Sequence, residues 1–133
     1  MKYKQISVFL ENRAGRLADM TTVLADKNVD IKTISIADTN NFGIVRLIVD
    51  NPDTAVSALK EADFIVKENT VVGLVIDDKA GGLKTALRTM EDNDIFIEYV
   101  YKLESENGKT TIIAKFENQD KAVEILNRNG LIK

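Results

Sequence analysis

Leu10-Glu11-Asn12-Arg13-Ala14-Gly15-Arg16-Leu17 returns further along the chain as Ile76-Asp77-Asp78-Lys79-Ala80-Gly81-Gly82-Leu83, at a constant offset of 66 (81 − 15). At that offset Met20 and Leu24 meet Ala86 and Met90, and Asn28-Val29-Asp30-Ile31 meets Asp94-Ile95-Phe96-Ile97. One inserted residue later, Ala55-Val56 and Leu59 align with Ala122-Val123 and Leu126, and Phe64-Ile65 with Leu131-Ile132. A register held through a strand, a loop and two helices marks an internal duplication.

Working outward from the first loop, Ile6, Val8 and Leu10 alternate as in a half-buried strand. Leu17, Met20, Val23 and Leu24 fall at helical spacing, and Asn28 is an end signal. The β-branched run Ile31, Thr33, Ile34, Ile36 predicts a second strand, and Ile44 to Val49 a third. Asn51-Pro52-Asp53 opens a second helix, with proline placed where its missing N–H is harmless. Phe64-Ile65-Val66 closes the copy as a short strand, giving βαββαβ. The second copy repeats the order and is clipped at Gly130-Leu131-Ile132-Lys133. Lys67-Glu68-Asn69 reads as a short polar joint, so the expected domains are residues 1–68 and 69–133. Two right-handed βαβ crossovers per copy imply an α+β fold: two ferredoxin-like units, each an antiparallel sheet with both helices on one face. The turns expected at Asp38-Thr39-Asn40-Asn41 and Glu104-Ser105-Glu106-Asn107-Gly108 would close the hairpins.

The 133 residues are 44% hydrophobic and 29% charged, with a net charge of −3, a globular composition. Basic and acidic residues are interspersed, which argues against a nucleic-acid partner. An RNA reading of βαββαβ would need aromatics on the first and third strands; only Phe9 is present, against Ile44-Val45-Arg46-Leu47-Ile48 and Thr110-Thr111-Ile112-Ile113-Ala114. Cysteine is absent, removing disulfides and thiolate chemistry. The N-terminal apolar run is cut at Glu11-Asn12-Arg13, too short for a signal core, and no segment approaches the ~18 apolar residues of a membrane span. The expectation is a soluble, cytoplasmic protein without membrane contact.

A strand ending in a polar residue, followed by Asn12-Arg13-Ala14-Gly15-Arg16-Leu17 at a helix start, resembles the ACT domain signature. Asp78-Lys79-Ala80-Gly81-Gly82-Leu83 resembles it again, over essentially the whole chain. The resemblance implies tandem ACT domains that bind a small ligand, most often an amino acid, at these two loops and at a domain–domain interface. All twelve residues from Asn12 to Leu17 and from Asp78 to Leu83 are therefore candidate ligand contacts. It also implies a regulatory role, either alone or as the detached subunit of an amino-acid biosynthetic enzyme. Two small units with one sheet face open should bury more apolar surface by pairing, so a homodimer is expected. The second copy departs from the pattern in having Gly-Gly for Gly-Arg.

Each candidate also has a plainer structural reading. Gly15 and Gly81 suit a tight turn with positive φ, or the approach of a carboxylate to N–H groups at a helix start. Asn12 and Asp78 could bond local backbone or meet an ammonium group. Arg13, Arg16 and Lys79 read first as solvated charges and second as carboxylate partners. Tyr99 and Tyr101 stand where the first copy has Thr33 and Ser35; on an open face they would mark a partner or ligand surface. A calcium site would need a denser set of oxygens, so no metal or cofactor is expected. Histidine is absent and no Ser has an activating base, so no catalytic set is expected. An acylphosphatase-type hydrolase, needing only an Arg and an Asn, is the enzymatic alternative.

Overall fold

A computed structural model describes residues 1–38 and 42–132. Its elements run β1 (Lys2–Glu11), α1 (Arg16–Asp26), β2 (Ile31–Asp38), β3 (Phe42–Val49), α2 (Pro52–Glu61), β4 (Ile65–Asp77), α3 (Gly82–Asp92), β5 (Ile97–Glu106), β6 (Lys109–Phe116) and α4 (Gln119–Arg128). The chain divides into two compact units, one of residues 4–70 and one of residues 71–133 with 1–3.

In the first unit the strands lie in the order β2-β3-β1-β4. This is the order that two interleaved βαβ crossovers produce. The antiparallel register sets Val8 against Val45 and Ile34 against Leu47. Ile6, Val8 and Leu10 of β1 join Met20 and Leu24 of α1 and Ala55 and Leu59 of α2 in one core, with both helices on one sheet face. In the second unit the order is β4-β6-β5, and Leu74, Ile76, Met90, Ile112, Phe116 and Leu126 form the equivalent core.

The duplication is legible in the backbone. Lys27 N–H donates to Leu24 O and Asn93 N–H to Met90 O, both at 3.2 Å. Asn28 and Asp94 both take φ 56 as the helices end, and Asp63 and Gly130 take φ 66 and 67. The Asn51 and Asn118 side chains cap α2 and α4, accepting from Thr54 N–H and Lys121 N–H at 3.3 and 3.1 Å.

Three expectations are corrected. Lys67-Glu68-Asn69 is not a joint: β4 runs unbroken from Ile65 to Asp77. Pairing beside β1 supplies a backbone ladder that is indifferent to side-chain polarity, and the buried Gln5 amide donates to Asn69 Oδ1 at 3.1 Å. The second hairpin turn is only Asn107-Gly108, both at positive φ, so Glu104 to Glu106 belong to β5. Leu131-Ile132 is not a strand, although Val75 N–H donates to Leu131 O at 2.7 Å. Met1 shares that edge of β4, accepting from Gly73 N–H at 2.7 Å. The turn expected at Asp38-Thr39-Asn40-Asn41 extends over residues 39–41, which lie outside the described ones.

Candidate functional site

The β1–α1 and β4–α3 loops each end in a left-handed glycine at the helix N-cap. Gly15 has φ 90 and ψ −18, Gly81 φ 88 and ψ −9, and neither helix start has a side-chain cap. The turn reading of these glycines therefore holds in both copies. A Cβ added at either would meet nothing within 4 Å, so what excludes a side chain is the backbone angle.

Around the first loop, Asn12, Arg13, Arg16 and Leu17 line a cavity of about 160 Å³ with Leu10, Glu11, Ile36, Gly43 and Val45. Its floor is apolar and its rim polar. Strand register brings Gly43 beside Leu10 and Ile36 beside Val45, placing residues distant in sequence in one wall. Ala14 and Gly15 are exposed on the loop and do not line the cavity. Arg13 is held to Glu11, its Nε donating at 3.2 Å. Arg16 is not the solvated charge expected: its guanidinium lies 4.5 Å from the Phe64 ring centre. Its side chain is only 19% exposed, and it reaches Asp19 at 3.5 Å. The aromatic face takes the place of water against one side of the guanidinium.

Around the second loop, Lys79, Ala80, Gly81 and Gly82 line a larger cavity, about 530 Å³, with Val75, Lys84, Thr85, Lys109, Gly130 and Leu131 among its walls. Asp78 and Leu83 do not line it: Asp78 N–H donates to Gly108 O at 2.9 Å, and Leu83 packs against the core. Gly82 sits so close to the preceding strand that a Cβ there would lie 2.2 Å from Asp77 O. Asp77 pairs with Lys109, and the Lys109 hydrogen bond and charge, aided by Lys79, hold its carboxyl below the usual carboxylate range.

Ile36, Gly43, Val45, Lys84, Thr85 and Lys109 were not singled out from the sequence. Thr85 could have been, since it stands one helical turn beyond Gly81 and its hydroxyl donates to Gly81 O at 3.1 Å. Lys109 could not, because it reaches the loop only through the pairing of Asp77 with Lys109 between β4 and β6. Tyr99 and Tyr101 pair with Lys115 and Ile113, alternating with the residues that face the helices. They lie on the sheet face away from the helices, with ring centres 6.4 Å apart and stacked. Among the described residues no group of three or more acidic, His or Cys side chains could hold a metal ion. No described helix is long and apolar enough to cross a membrane.

Comparison with known proteins places this geometry in a family. The chain is 37% identical to protein BT0572 from Bacteroides thetaiotaomicron, over 99% of this chain and 91% of that one, with a TM-score of 0.92. It shares its fold with the ligand-free regulatory subunit of aspartate kinase from Thermus thermophilus, at 15% identity over 95% and 91% of the two chains and a TM-score of 0.64. It also shares its fold with part of Clostridium acetobutylicum aspartate kinase, at 13% identity and a TM-score of 0.55, covering 96% of this chain and 33% of that enzyme. No match was found among functionally curated proteins. The model of the ACT domain pair matches residues 1–132, and the chain belongs to that family.

Proposed function

We propose that the chain is a regulatory protein that binds a small molecule, an amino acid, at its first glycine loop and has no catalysis of its own. One ACT domain would occupy residues 1–68 and the other 69–133. The observation that carries the reading is the first cavity: an apolar floor of Leu10, Val45, Ile36 and Leu17 under a rim of Asn12 and Arg13, beside the uncapped start of α1. An amino acid has a side chain for the floor, an ammonium for the Asn12 carbonyl oxygen, and a carboxylate for N–H groups at a helix start. At about 160 Å³ the space lies below the ~300–1,000 Å³ of pockets for drug-sized ligands, which suits a small metabolite. Membership of the ACT pair family supports the same reading. In this proposal the protein is a cytoplasmic homodimer whose target is a biosynthetic enzyme.

A thermal-shift screen against the twenty amino acids tests it, because a ligand bound only by the native state raises apparent stability. The expected result is a saturable shift with one or a few of them. Asn12→Ala should then weaken binding by about 1.5–3 kcal/mol, ten- to a hundred-fold. No shift with any amino acid, or unchanged affinity in Asn12→Ala, would remove the first loop as the site.

A further inference from the structure

At the end of each unit away from its glycine loop, the chain leaves a helix, turns and enters a strand. One backbone bond is common to both copies there: Asp50 N–H donates to Asp30 O, and Glu117 N–H to Phe96 O, each at 3.1 Å. The side chains around that shared bond are not alike. In the first copy Asp30 N–H also donates to Asp50 Oδ1 at 3.0 Å, and Lys32 pairs with the Asp30 carboxylate at 2.9 Å. In the second copy an aromatic ring stands at the place of Asp30, and Phe96 is 63% exposed.

The change extends around the ring. In the repeat register Thr21 becomes Leu87, Ala25 becomes Glu91, Asn28 becomes Asp94 and Lys32 becomes Glu98. Leu87, Ile95, Phe96 and Ile97 line a groove of about 400 Å³ at the far end of α3 from Gly81, and the exposed Glu91, Asp94 and Glu117 complete its walls. Arg88 pairs with Glu91, while the Asp94 and Glu117 carboxylates form no ion pair with a described residue. The last turn of α3 has no basic residue, so the negative end of the helix adds to their charge. The groove adjoins β5, the outer strand of the β4-β6-β5 order. Val100, on the helix side of β5 opposite Ala114, is 37% exposed and continues the apolar strip along that edge.

We infer that this groove docks an extended, cationic segment of a partner protein, with an apolar side chain against Phe96 and Lys or Arg beside it facing Asp94 and Glu117. Three observations select that occupant. An apolar lining bordered by carboxylates without a cation of their own complements an apolar side chain flanked by positive charge. An outer strand can add an extended segment by main-chain hydrogen bonds, which a small amine cannot exploit. Residues 97–106 of β5 hold three glutamates and one lysine, so a second β5 laid against the first would bring like charges together. The inference deepens the regulatory reading and rests on it for the existence of a partner protein, but it uses neither glycine loop.

The test titrates the isotope-labelled full chain with three capped hexapeptides, KRLFRK, KRGSRK and EDLFDE, following residue-resolved amide NMR shifts. KRLFRK should bind saturably with shifts centred on Leu87, Phe96 and Glu117, about tenfold or more tighter than either of the others. Phe96→Asp, which installs the residue of the first copy at an exposed position, should weaken that binding about tenfold or more with circular dichroism unchanged. Asp94→Asn with Glu117→Gln should weaken it as well and flatten its dependence on salt, a second measure that stands even if Phe96→Asp fails to fold. Amino-acid binding at the first loop, followed through Gly15, should be the same in every variant. No saturation by KRLFRK, equal binding of KRGSRK or EDLFDE, or wild-type affinity in the charge variant would each overturn the inference. So would a wild-type dimer that Phe96→Asp dissociates, because the groove would then hold a second copy. Peptide binding at the groove with no response to any amino acid would support this inference and sink only the first-loop proposal.

Discussion

Gly81 and Gly82 are adjacent glycines required for different reasons. At Gly81 the demand is the backbone angle, φ 88 with open space around it. Gly81→Ala should cost about 1–2 kcal/mol, the penalty of a left-handed conformation for a residue with a Cβ. At Gly82 the demand is close approach, since the new methyl would meet the Asp77 carbonyl at 2.2 Å and the strand-to-helix turn would have to open. Gly82→Ala should be the more destabilising of the two in urea unfolding; the reverse order would mean that the turn yields easily. Asp77 itself offers a pH probe. Its folded-state pKa is lowered, first by the Lys109 hydrogen bond and then by charge. The stability it contributes is present above the unfolded carboxylate value of about 3.9 and is lost as pH falls through the lower folded value. In Lys109→Met, NMR titration should find Asp77 moved up toward the ordinary range; an unmoved Asp77 would show that the pair does not persist in solution. The turn glycines Gly15 and Gly81 were legible because a residue with a Cβ is strained at a φ near 90. The seat of Arg16 was not, because Phe64 lies 48 residues further on and nothing local distinguishes a stacked guanidinium from a solvated one.

At the scale of elements, α2 and α4 are short helices of 10 residues each, with asparagine caps of matching geometry. Replacing Asn51 or Asn118 with alanine orphans one N–H of the first turn in each case. Each change should cost about 1 kcal/mol, and the two costs should be similar because the acceptors stand 3.3 and 3.1 Å from Thr54 N and Lys121 N. Chemical denaturation checks this, and a cost confined to one cap would mean that the repeat is geometric but not energetic. These helix starts were readable from local residues, Asn51-Pro52-Asp53 in particular. The extent of β4 was not. Lys67-Glu68-Asn69 reads as a loop on composition, yet a strand beside β1 needs only backbone donors and acceptors, and polar side chains on its exposed positions do not interrupt it. The last strand expected in the second copy is not formed at Leu131 and Ile132, although the backbone bond from Val75 to Leu131 is present.

For the whole molecule, the proposed homodimer makes a prediction that joins assembly to binding. β2 is the edge strand of the first unit, paired with β3 on one side. Ile34 and Ile36 face the helix side of the sheet, opposite Leu47 and Val45, yet remain 42% and 54% exposed, and Leu17 at the start of α1 is 39% exposed. An edge strand with uncovered apolar residues is a template for pairing with another chain, and soluble proteins normally blunt such edges with charge or proline. A second copy is the occupant consistent with the assembly proposed above. Ile36 also lines the first cavity, so a copy docked on β2 would close the site over its ligand. Ile36→Lys should therefore raise the dimer dissociation constant more than tenfold, above about 1.4 kcal/mol, when followed by sedimentation. It should weaken amino-acid binding in parallel. Folding should be nearly untouched, because exposed substitutions usually shift stability by no more than ~0.5 kcal/mol. Circular dichroism and thermal unfolding of the variant separate this outcome from simple misfolding. A wild-type chain that sediments as a monomer at high micromolar concentration with its amino acid bound would refute the dimer. A dimer that survives Ile36→Lys would instead place the contact on another surface, with the stacked pair Tyr99 and Tyr101 on the opposite sheet face as the next position to substitute.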